Sequence, residues 1–458
     1  MINIIEFEKR SIVGPVMKSD QFDLTLAKKV RELVKKYDIK FNPNEIVVDD
    51  DTADKVFQAG LELLAEVGLY NVDTQRVIQY TREELEQVAF EYCEKPGQRT
   101  FGQGKDKHTV KYRTSQDSWA PYNWTCPAGV VKEEWFIPYI IASAQEETVH
   151  GLGIPGGIGS VGGIVPKAGC PSEIICGIWE QKATREALSK AGRPGMHLGL
   201  IPTVSTAAAT VAVLDSGLRE PYNTMIGIHI IPEQRIDWTR LNLACICEER
   251  GIEPWTSAMT MLGGLCGGPE GTAVGMIANY LGQLTYGHGQ TGSIVVNDMT
   301  GRASHREAQW AASASCRAVE RNIKTVVSTC PMDSAPVFSF EELFLRYAIM
   351  GINFTASGMG YSWGSGNFGI VGRFYYAVMN AVAGMSRDKV NPILDKLQDM
   401  VSELVAAGGN QISFNDRSFP FVYDVEKIQP KSEYLDVIKR TLDKLVGVGV
   451  PISDKIAF

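Results

Sequence analysis

The sequence predicts an α/β protein, a (β/α)8 barrel of the TIM type with an N-terminal helical layer and C-terminal helices. Between residues 111 and 385, short apolar segments rich in Gly, Val, Ile and Thr alternate with helical patterns, which is typical of β/α units on a parallel sheet. Eight such units over roughly 260 residues match a closed barrel better than an open sheet. The 458 residues, 44% of them hydrophobic, suffice to bury one such core.

Residues 1–110 form the predicted N-terminal layer. Amphipathic patterns cover Asp23–Tyr37 and Thr52–Glu66, and a third helix opens at Thr81. The segment Thr81–Glu84 reads T-x-x-E, a capping box that satisfies the free amides of a helix start. This region is therefore expected to be helical throughout.

The barrel itself is predicted for residues 111–385. Its eight expected strands are Ala120–Cys126, His150–Pro155, Met196–Ile201, Thr224–Ile230, Glu253–Met259, Gly292–Asp298, Ile323–Cys330 and Ile352–Ala356. The helical patterns between them include Ser172–Ala191, Asp237–Arg250, Glu270–Tyr286, Ser304–Arg321 and Phe340–Met350. Residues 386–458 then form a C-terminal cap with helices at Val390–Leu404 and Glu433–Leu445.

Charge and composition exclude several classes of protein. The formal net charge of −8 disfavours a broad nucleic-acid surface. The N-terminus MINIIEFEKRS lacks the basic start and apolar stretch of a signal peptide, and no run of about 18 apolar residues appears. Nine scattered cysteines indicate reduced thiols rather than a disulfide framework. These features predict a cytoplasmic protein that binds neither nucleic acid nor membrane.

Six segments carry a recognisable pattern: Phe57–Glu84, Ala191–Met196 (AGRPGM), Gly263–Glu270 (GGLCGGPE), Thr355–Gly358 (TASG), Val390–Leu397 and Tyr423–Tyr434. In order and spacing they resemble the monomethylamine:corrinoid methyltransferase family. The resemblance implies a (β/α)8 barrel, a homo-oligomer (a hexamer in the family) and transfer of a methyl group from an amine to the cobalt(I) of a separate corrinoid protein. It implies no tightly bound cofactor, because the corrinoid (a cobalamin) comes with the partner.

The sequence departs from the family where the family carries pyrrolysine. That residue lies about three positions after the methionine of AGRPGM, which here corresponds to Gly199, or to Leu200 with a shift of one. The acidic residues that surround pyrrolysine in the family fall near Gly227 and Ser257. We therefore expect a site without the electrophilic imine, and with space opened by the glycine.

The chemistry of methyl donors indicates what such a site accepts. Monomethylamine is a poor donor because its leaving group is an amine anion, and pyrrolysine is thought to capture and activate it. A quaternary ammonium leaves as a neutral tertiary amine and needs no such help. The sequence therefore favours a quaternary or bulky amine such as a betaine over monomethylamine, by analogy with pyrrolysine-free members of the trimethylamine methyltransferase family.

Chemistry in these barrels is expected at the C-terminal ends of the strands. Aromatic residues follow the predicted first and eighth strands there: Tyr122, Trp124, Tyr361, Trp363 and Phe368. They either form an aromatic cage for a methylated ammonium, worth up to about 2 kcal/mol per desolvated contact, or pack as ordinary loop side chains.

Polar candidates lie at the same ends of other strands. Asn297 and Asp298 end the sixth strand, where Asp298 either protonates a leaving amine or caps a loop. Arg302 either pairs with Asp298 or holds a substrate carboxylate. His197 and His229 lie on the third and fourth strands, as core groups or in one pocket. Glu270 starts a helix, as a cap or as a site residue.

Two further functions stay open at this stage. One is a non-catalytic protein that binds or senses methylated amines with a barrel that no longer transfers methyl groups. The other is a zinc-assisted methyltransferase for O- or S-methyl donors, with Cys330, His229 and Asp298 as ligands. These three residues carry no metal-binding spacing, so the sequence predicts no bound metal.

Overall fold

The computed structural model describes residues 2–126, 130–329, 333–365, 369–413, 418–453, 456 and 458. The helices are α1 (Ile4–Val13), α2 (Ser19–Lys36), α3 (Asp50–Val67), α4 (Arg82–Glu94), α5 (Glu133–Ala144), α6 (Pro171–Lys190), α7 (Ala207–Asp215), α8 (Trp238–Arg250), α9 (Pro269–Gly287), α10 (Arg306–Asn322), α11 (Phe340–Ala356), α12 (Ile370–Val382), α13 (Arg387–Ala407), α14 (Phe419–Val422) and α15 (Ser432–Gly447). Within the described ranges, no helix combines the length and apolar character needed to cross a membrane.

The strands fall into one large parallel sheet and several small sheets. They are β1 (Leu69–Asn71), β2 (Arg76–Ile78), β3 (Gln98–Phe101), β4 (His108–Lys111), β5 (Tyr122–Cys126), β6 (Val130–Val131), β7 (Gly151–Leu152), β8 (Gly157–Ile158), β9 (Met225–Gly227), β10 (Arg235–Ile236), β11 (Glu253–Leu262), β12 (Thr291–Asp298), β13 (Val326–Thr329), β14 (Tyr361–Ser365), β15 (Tyr423–Asp424) and β16 (Gln429–Pro430). The large sheet has seven strands in the order β7-β5-β14-β13-β12-β11-β9, and its pairs are parallel.

Residues 197–200 close this sheet into a barrel. On one side, the Leu152 amide donates to the His197 carbonyl and the Leu200 amide to the Gly153 carbonyl, both at 2.8 Å. On the other side, the Met225 amide donates to the Gly199 carbonyl at 2.9 Å. The segment thus occupies the third of eight strand positions, and a helix follows each position along the chain. The predicted (β/α)8 barrel is confirmed.

Two predicted strands differ from the structure. The third position is not a regular strand, because Gly199 has a φ of +57°, outside the extended region. The prediction of a strand at Ile352–Ala356 is wrong, since these residues end α11 and the eighth strand is β14. A short apolar run inside a fully buried helix has no period that separates it from a buried strand.

The three helices predicted for the N-terminal layer are present as α2, α3 and α4, and the capping box at Thr81 and Glu84 is formed. The layer is not helical throughout, because it also contains the antiparallel pairs β1–β2 and β3–β4. Its helix α3 packs on the barrel helices α9 and α10. The hairpin of β3 and β4 covers the N-terminal end of the barrel, where the Gly102 amide donates to the carbonyl of Tyr222 just before β9. The opposite, C-terminal end is therefore the open end at which a site is expected.

Candidate functional site

The barrel interior is filled by aromatic side chains. Trp124, Tyr361 and Trp363 are fully buried, and Trp363 stacks on Trp255 with ring centroids 4.8 Å apart. The Trp255 indole Nε1 donates to the Ser293 hydroxyl at 2.9 Å. Inward-facing positions of parallel strands meet on the barrel axis, so large rings from several strands pack into one column. This column forms an aromatic floor below the open end.

A cavity of about 290 Å³ lies beside this floor, between the third and fourth strand positions and helices α7 and α8. Most of its wall is aliphatic, and the polar groups are two hydroxyls, an imidazole and a guanidinium. Its lining residues are Ile154, Leu200, Ile201, Pro202, Val204, Ser205, Thr210, Met225, Ile226, Gly227, His229, Arg240 and Leu243. None of these described lining residues is acidic, so the cavity is not built for a small bare cation.

His229 supplies a neutral imidazole to the cavity wall. Burial lowers its pKa to about 4, and the nearby Arg240 charge adds to the effect. Its Nδ1 is buried without a hydrogen-bond partner in the described part of the chain. The imidazole therefore stays uncharged near neutral pH and retains a free ring nitrogen for a ligand.

The end of the third strand position shows which side chain reaches the cavity there. A Cβ added to Gly199 would lie 1.9 Å from the Gly153 carbonyl oxygen, so no side chain fits. The expectation that Gly199 opens space is wrong, because backbone fills that volume. Leu200 lines the cavity instead.

At Gly227, which ends β9, there is room for a small side chain. A Cβ there would be 3.5 Å from His229 Nδ1, 3.6 Å from the Trp255 ring and 3.8 Å from Leu200. These are ordinary van der Waals distances, so the absence of a side chain at Gly227 leaves room between the imidazole and the indole. Gly227 lines the cavity, whereas Trp255 lies next to it without lining the cavity.

A buried arginine holds the wall of the cavity in place. Arg219, only 3% exposed, donates to the carbonyls of Gly199 at 3.0 Å and Leu200 at 2.8 Å, and its Nε donates to Gln181 at 2.6 Å. Glu180 completes the network, and burial raises its pKa to about 7. Because the guanidinium fixes two consecutive carbonyls, it fixes the direction of the Leu200 side chain.

The predicted aromatic residues gather in one place, in a different setting from the one expected. Trp124, Tyr361 and Trp363 lie within barrel strands rather than in loops, and they are fully buried among one another. Tyr122 is partly buried beside them. Phe368 lies outside the described residues. Packing thus accounts for the described rings, and Trp255 is the ring that borders the gap at Gly227.

At the end of the sixth barrel strand, the Asp298 side chain is hydrogen-bonded to the loop that follows it. Asp298 Oδ1 accepts hydrogen bonds from the Thr300 amide and hydroxyl at 2.7 Å and from the Arg302 amide at 3.0 Å. Although partial burial acts to raise it, the pKa of Asp298 is lowered by these bonds, which runs against the expected proton donor. The structure shows the loop-capping alternative, and Asn297, half-buried beside it, does not line the cavity.

The remaining predicted residues separate into distinct places. The Arg302 guanidinium does not line the cavity, and burial lowers its pKa beside the charges of Arg346 and Asp333. His197 is fully buried between the rings of Phe101 and Trp124, each 4.3 Å away, which is the core alternative, and it does not line the cavity with His229.

Glu270 lies in the first turn of α9, and its Oε1 accepts the Phe41 amide at 2.9 Å, which ties the N-terminal layer to the barrel. Cys330 lies outside the described residues. Across the described ranges, no group of three or more His, Cys, Asp or Glu side chains is placed to hold a metal ion.

Three contributors to this site were missed by the sequence reasoning: Trp255, Arg240 and Arg219. Arg240 carried a detectable signal, because a positive charge in the first turn of a helix opposes the helix dipole. Trp255 lies at an inward position of a predicted strand, which alternation alone could have flagged. Arg219 lies in a loop after α7 without any local pattern.

Comparison with solved structures identifies the class of fold. Two crystal structures, the Methanosarcina barkeri monomethylamine methyltransferase and a hydroxylamine complex of the same kind of protein, superpose with a TM-score of 0.89. Each covers 98% of both chains at 24% identity, which establishes the shared fold.

Sequence comparison then gives the family. A model of the monomethylamine methyltransferase MtmB matches residues 2–450. The monomethylamine methyltransferases of Methanosarcina mazei and Methanosarcina acetivorans are 27% and 26% identical to the chain, each over 97% of both sequences. The chain belongs to the monomethylamine methyltransferase family, and the predicted resemblance is confirmed.

Proposed function

We propose that this protein transfers a methyl group from an N-methylated compound larger than monomethylamine to the cobalt(I) of a corrinoid carried by a separate protein. The observation that carries the proposal is the 290 Å³ aliphatic cavity at the open end of the barrel, whose described lining contains a neutral imidazole and no acidic residue. Such a wall suits a bulky donor that is already activated.

The third strand end supports a mechanism without pyrrolysine. Gly199 admits no side chain, and Leu200 presents an aliphatic group to the cavity. Neither can form an adduct with an amine, so the donor must itself carry a good leaving group. A quaternary ammonium satisfies this, because the C–N bond breaks with its electron pair on nitrogen and a neutral tertiary amine leaves.

The electron count of the transfer is then complete without a proton. Cobalt(I) supplies the electron pair of the new cobalt–carbon bond and becomes cobalt(III), and the amine takes the pair of the broken bond. His229, with its pKa of about 4, is uncharged at neutral pH and serves as a hydrogen-bonding group rather than an acid. The protein contributes orientation and exclusion of water, which together shorten the approach of donor and acceptor.

The test is anaerobic absorption spectroscopy of cob(I)alamin mixed with the protein and one donor at a time. The donors are monomethylamine, dimethylamine, trimethylamine, a betaine, choline and a methyl ether. We expect conversion to methylcobalamin with a quaternary donor and none with monomethylamine. The variant Gly227→Ala, whose Cβ fits between His229, Trp255 and Leu200 at 3.5 to 3.8 Å, narrows the cavity wall and should slow the reaction while the protein stays folded.

Other outcomes favour the other functions. Conversion with the methyl ether alone, dependent on added zinc, would contradict the proposal in favour of an O-methyl donor. No conversion with any donor, together with a ligand that raises the melting temperature, would contradict it in favour of a binding protein.

A further inference from the structure

We propose that the cavity selects N-methylated compounds that carry a carboxylate, and that Arg240 and His229 bind this carboxylate. The methyl-donor role of the ligand rests on the proposed function, whereas its binding does not. Apart from two hydroxyls, Arg240 and His229 are the polar side chains on an otherwise aliphatic wall.

Arg240 has donors that the protein leaves unused. Its Nη1 donates to Asp237, the N-cap residue of α8, and no other side-chain bond is formed by Arg240 in the described part of the chain. Nε and Nη2 are therefore available at the cavity, and the side chain is 26% exposed. A guanidinium presents such a pair of donors in a fork that matches the two oxygens of a carboxylate.

The position of Arg240 is costly for the helix. It lies in the first turn of α8, where the helix dipole favours negative charge. The Asp237 carboxylate offsets part of this cost, but a neutral side chain would avoid it altogether. An anionic ligand group at the helix start explains why a partly buried arginine lies at this point. The free amides of a helix start favour such an anion as well.

His229 provides the second polar contact. Its Nδ1 is buried and has no partner among the described residues, and it lies 3.5 Å from the point where a Gly227 Cβ would be. The ring is uncharged and donates one hydrogen bond from whichever nitrogen carries the proton. An imidazole and a guanidinium on the same wall can therefore satisfy a carboxylate together.

The other end of the ligand has a matching environment. The wall away from Arg240 is aliphatic and includes Ile154, Leu200 and Met225. A ligand whose carboxylate is held at Arg240 therefore places its N-methyl groups against this aliphatic wall, with which methyl groups pack favourably.

The test is isothermal titration calorimetry of the full chain, without any corrinoid. The ligands share a trimethylammonium group: glycine betaine and γ-butyrobetaine carry a carboxylate, choline carries a hydroxyl and tetramethylammonium carries neither. We expect at least one of the two carboxylates to bind about 10- to 100-fold more tightly than choline and tetramethylammonium, the range for a hydrogen-bonded charged group. This comparison within the wild type needs no variant.

Variants then assign the preference to the arginine. Arg240→Met should remove the advantage of the carboxylate ligands, and Arg240→Lys should retain part of it because a cation remains without the fork. Arg250→Met, on the same helix and paired with Asp215 at the surface, is the matched control and should bind as the wild type does.

Three results would overturn the inference: equal binding of choline and the betaines, an unchanged preference in a folded Arg240→Met, or no binding by any of the four ligands. Arg240-dependent binding without methyl transfer would support the inference and contradict the proposed function, so the two failures are distinguishable.

Discussion

Two glycines at the site give opposite predictions for the same substitution. Gly199→Ala places a residue with a side chain at φ +57°, which costs an L-amino acid about 1 to 2 kcal/mol. Its Cβ would lie 1.9 Å from the Gly153 carbonyl oxygen, and that carbonyl accepts the Leu200 amide between neighbouring strand positions. Losing this buried bond costs about 1 to 3 kcal/mol more.

The sum is a loss of about 2 to 5 kcal/mol, a large part of the roughly 5 to 15 kcal/mol that stabilises a folded protein. Gly227→Ala meets no atom closer than 3.5 Å and has no positive φ. Its unfolded chain loses freedom, so its stability should be unchanged or higher by about 0.4 to 1 kcal/mol.

The assay is urea denaturation followed by circular dichroism, with both variants measured beside the wild type. We expect a lower midpoint for Gly199→Ala and a midpoint at or above the wild type for Gly227→Ala. If Gly199→Ala is as stable as the wild type, the closure of the barrel at residues 197–200 and the reasoning about Leu200 are refuted.

Three further predictions concern the wall of the cavity. Arg219→Met leaves buried carbonyl and amide oxygens without their donor and should destabilise the protein by about 3 to 5 kcal/mol, measured as a lower urea midpoint; an unchanged midpoint would contradict the network. For His229, burial holds the folded pKa at about 4, so the unfolded chain takes up a proton below about pH 6.5 and stability is lost as the pH falls toward 4. The wild type should therefore lose about 2 kcal/mol more than His229→Gln between about pH 7 and pH 5, and equal losses would show that the imidazole is not buried. Leu200→Ala should weaken binding of a quaternary amine, measured by calorimetry, at a stability cost of about 1 to 2 kcal/mol because Leu200 is only partly buried; unchanged binding would place the ligand elsewhere.

The sequence predicted most helices and the barrel because their signals are local and repeated. The periodic apolar face of α2 and the capping box at Thr81 need no knowledge of tertiary contacts. The eighth strand was misplaced because residues 352–356 are buried on all sides as part of α11, so burial carried no period. The irregular backbone at the third strand position depends on Gly199, which packs directly against Gly153 of the neighbouring strand position.

The site was harder to predict than the fold. The sequence singled out Leu200 and His229 on the third and fourth strands, and both line the cavity. Asp298 was singled out by residue type, yet its carboxylate accepts hydrogen bonds from two residues of its own loop, Thr300 and Arg302. Arg240 approaches the cavity from a helix and Arg219 from a loop after a helix, so their roles arise only when the barrel brings distant segments together.

The central claim is that this barrel moves a methyl group from a bulky N-methyl donor without pyrrolysine. The most direct measurement is a single-turnover reaction of the protein with cob(I)alamin and donors whose N-methyl groups carry deuterium, with the cobalt product analysed by mass spectrometry. The account predicts a trideuteromethyl group on cobalt from a quaternary amine and none from monomethylamine. Label transferred from monomethylamine, or from no donor in the panel, would contradict it.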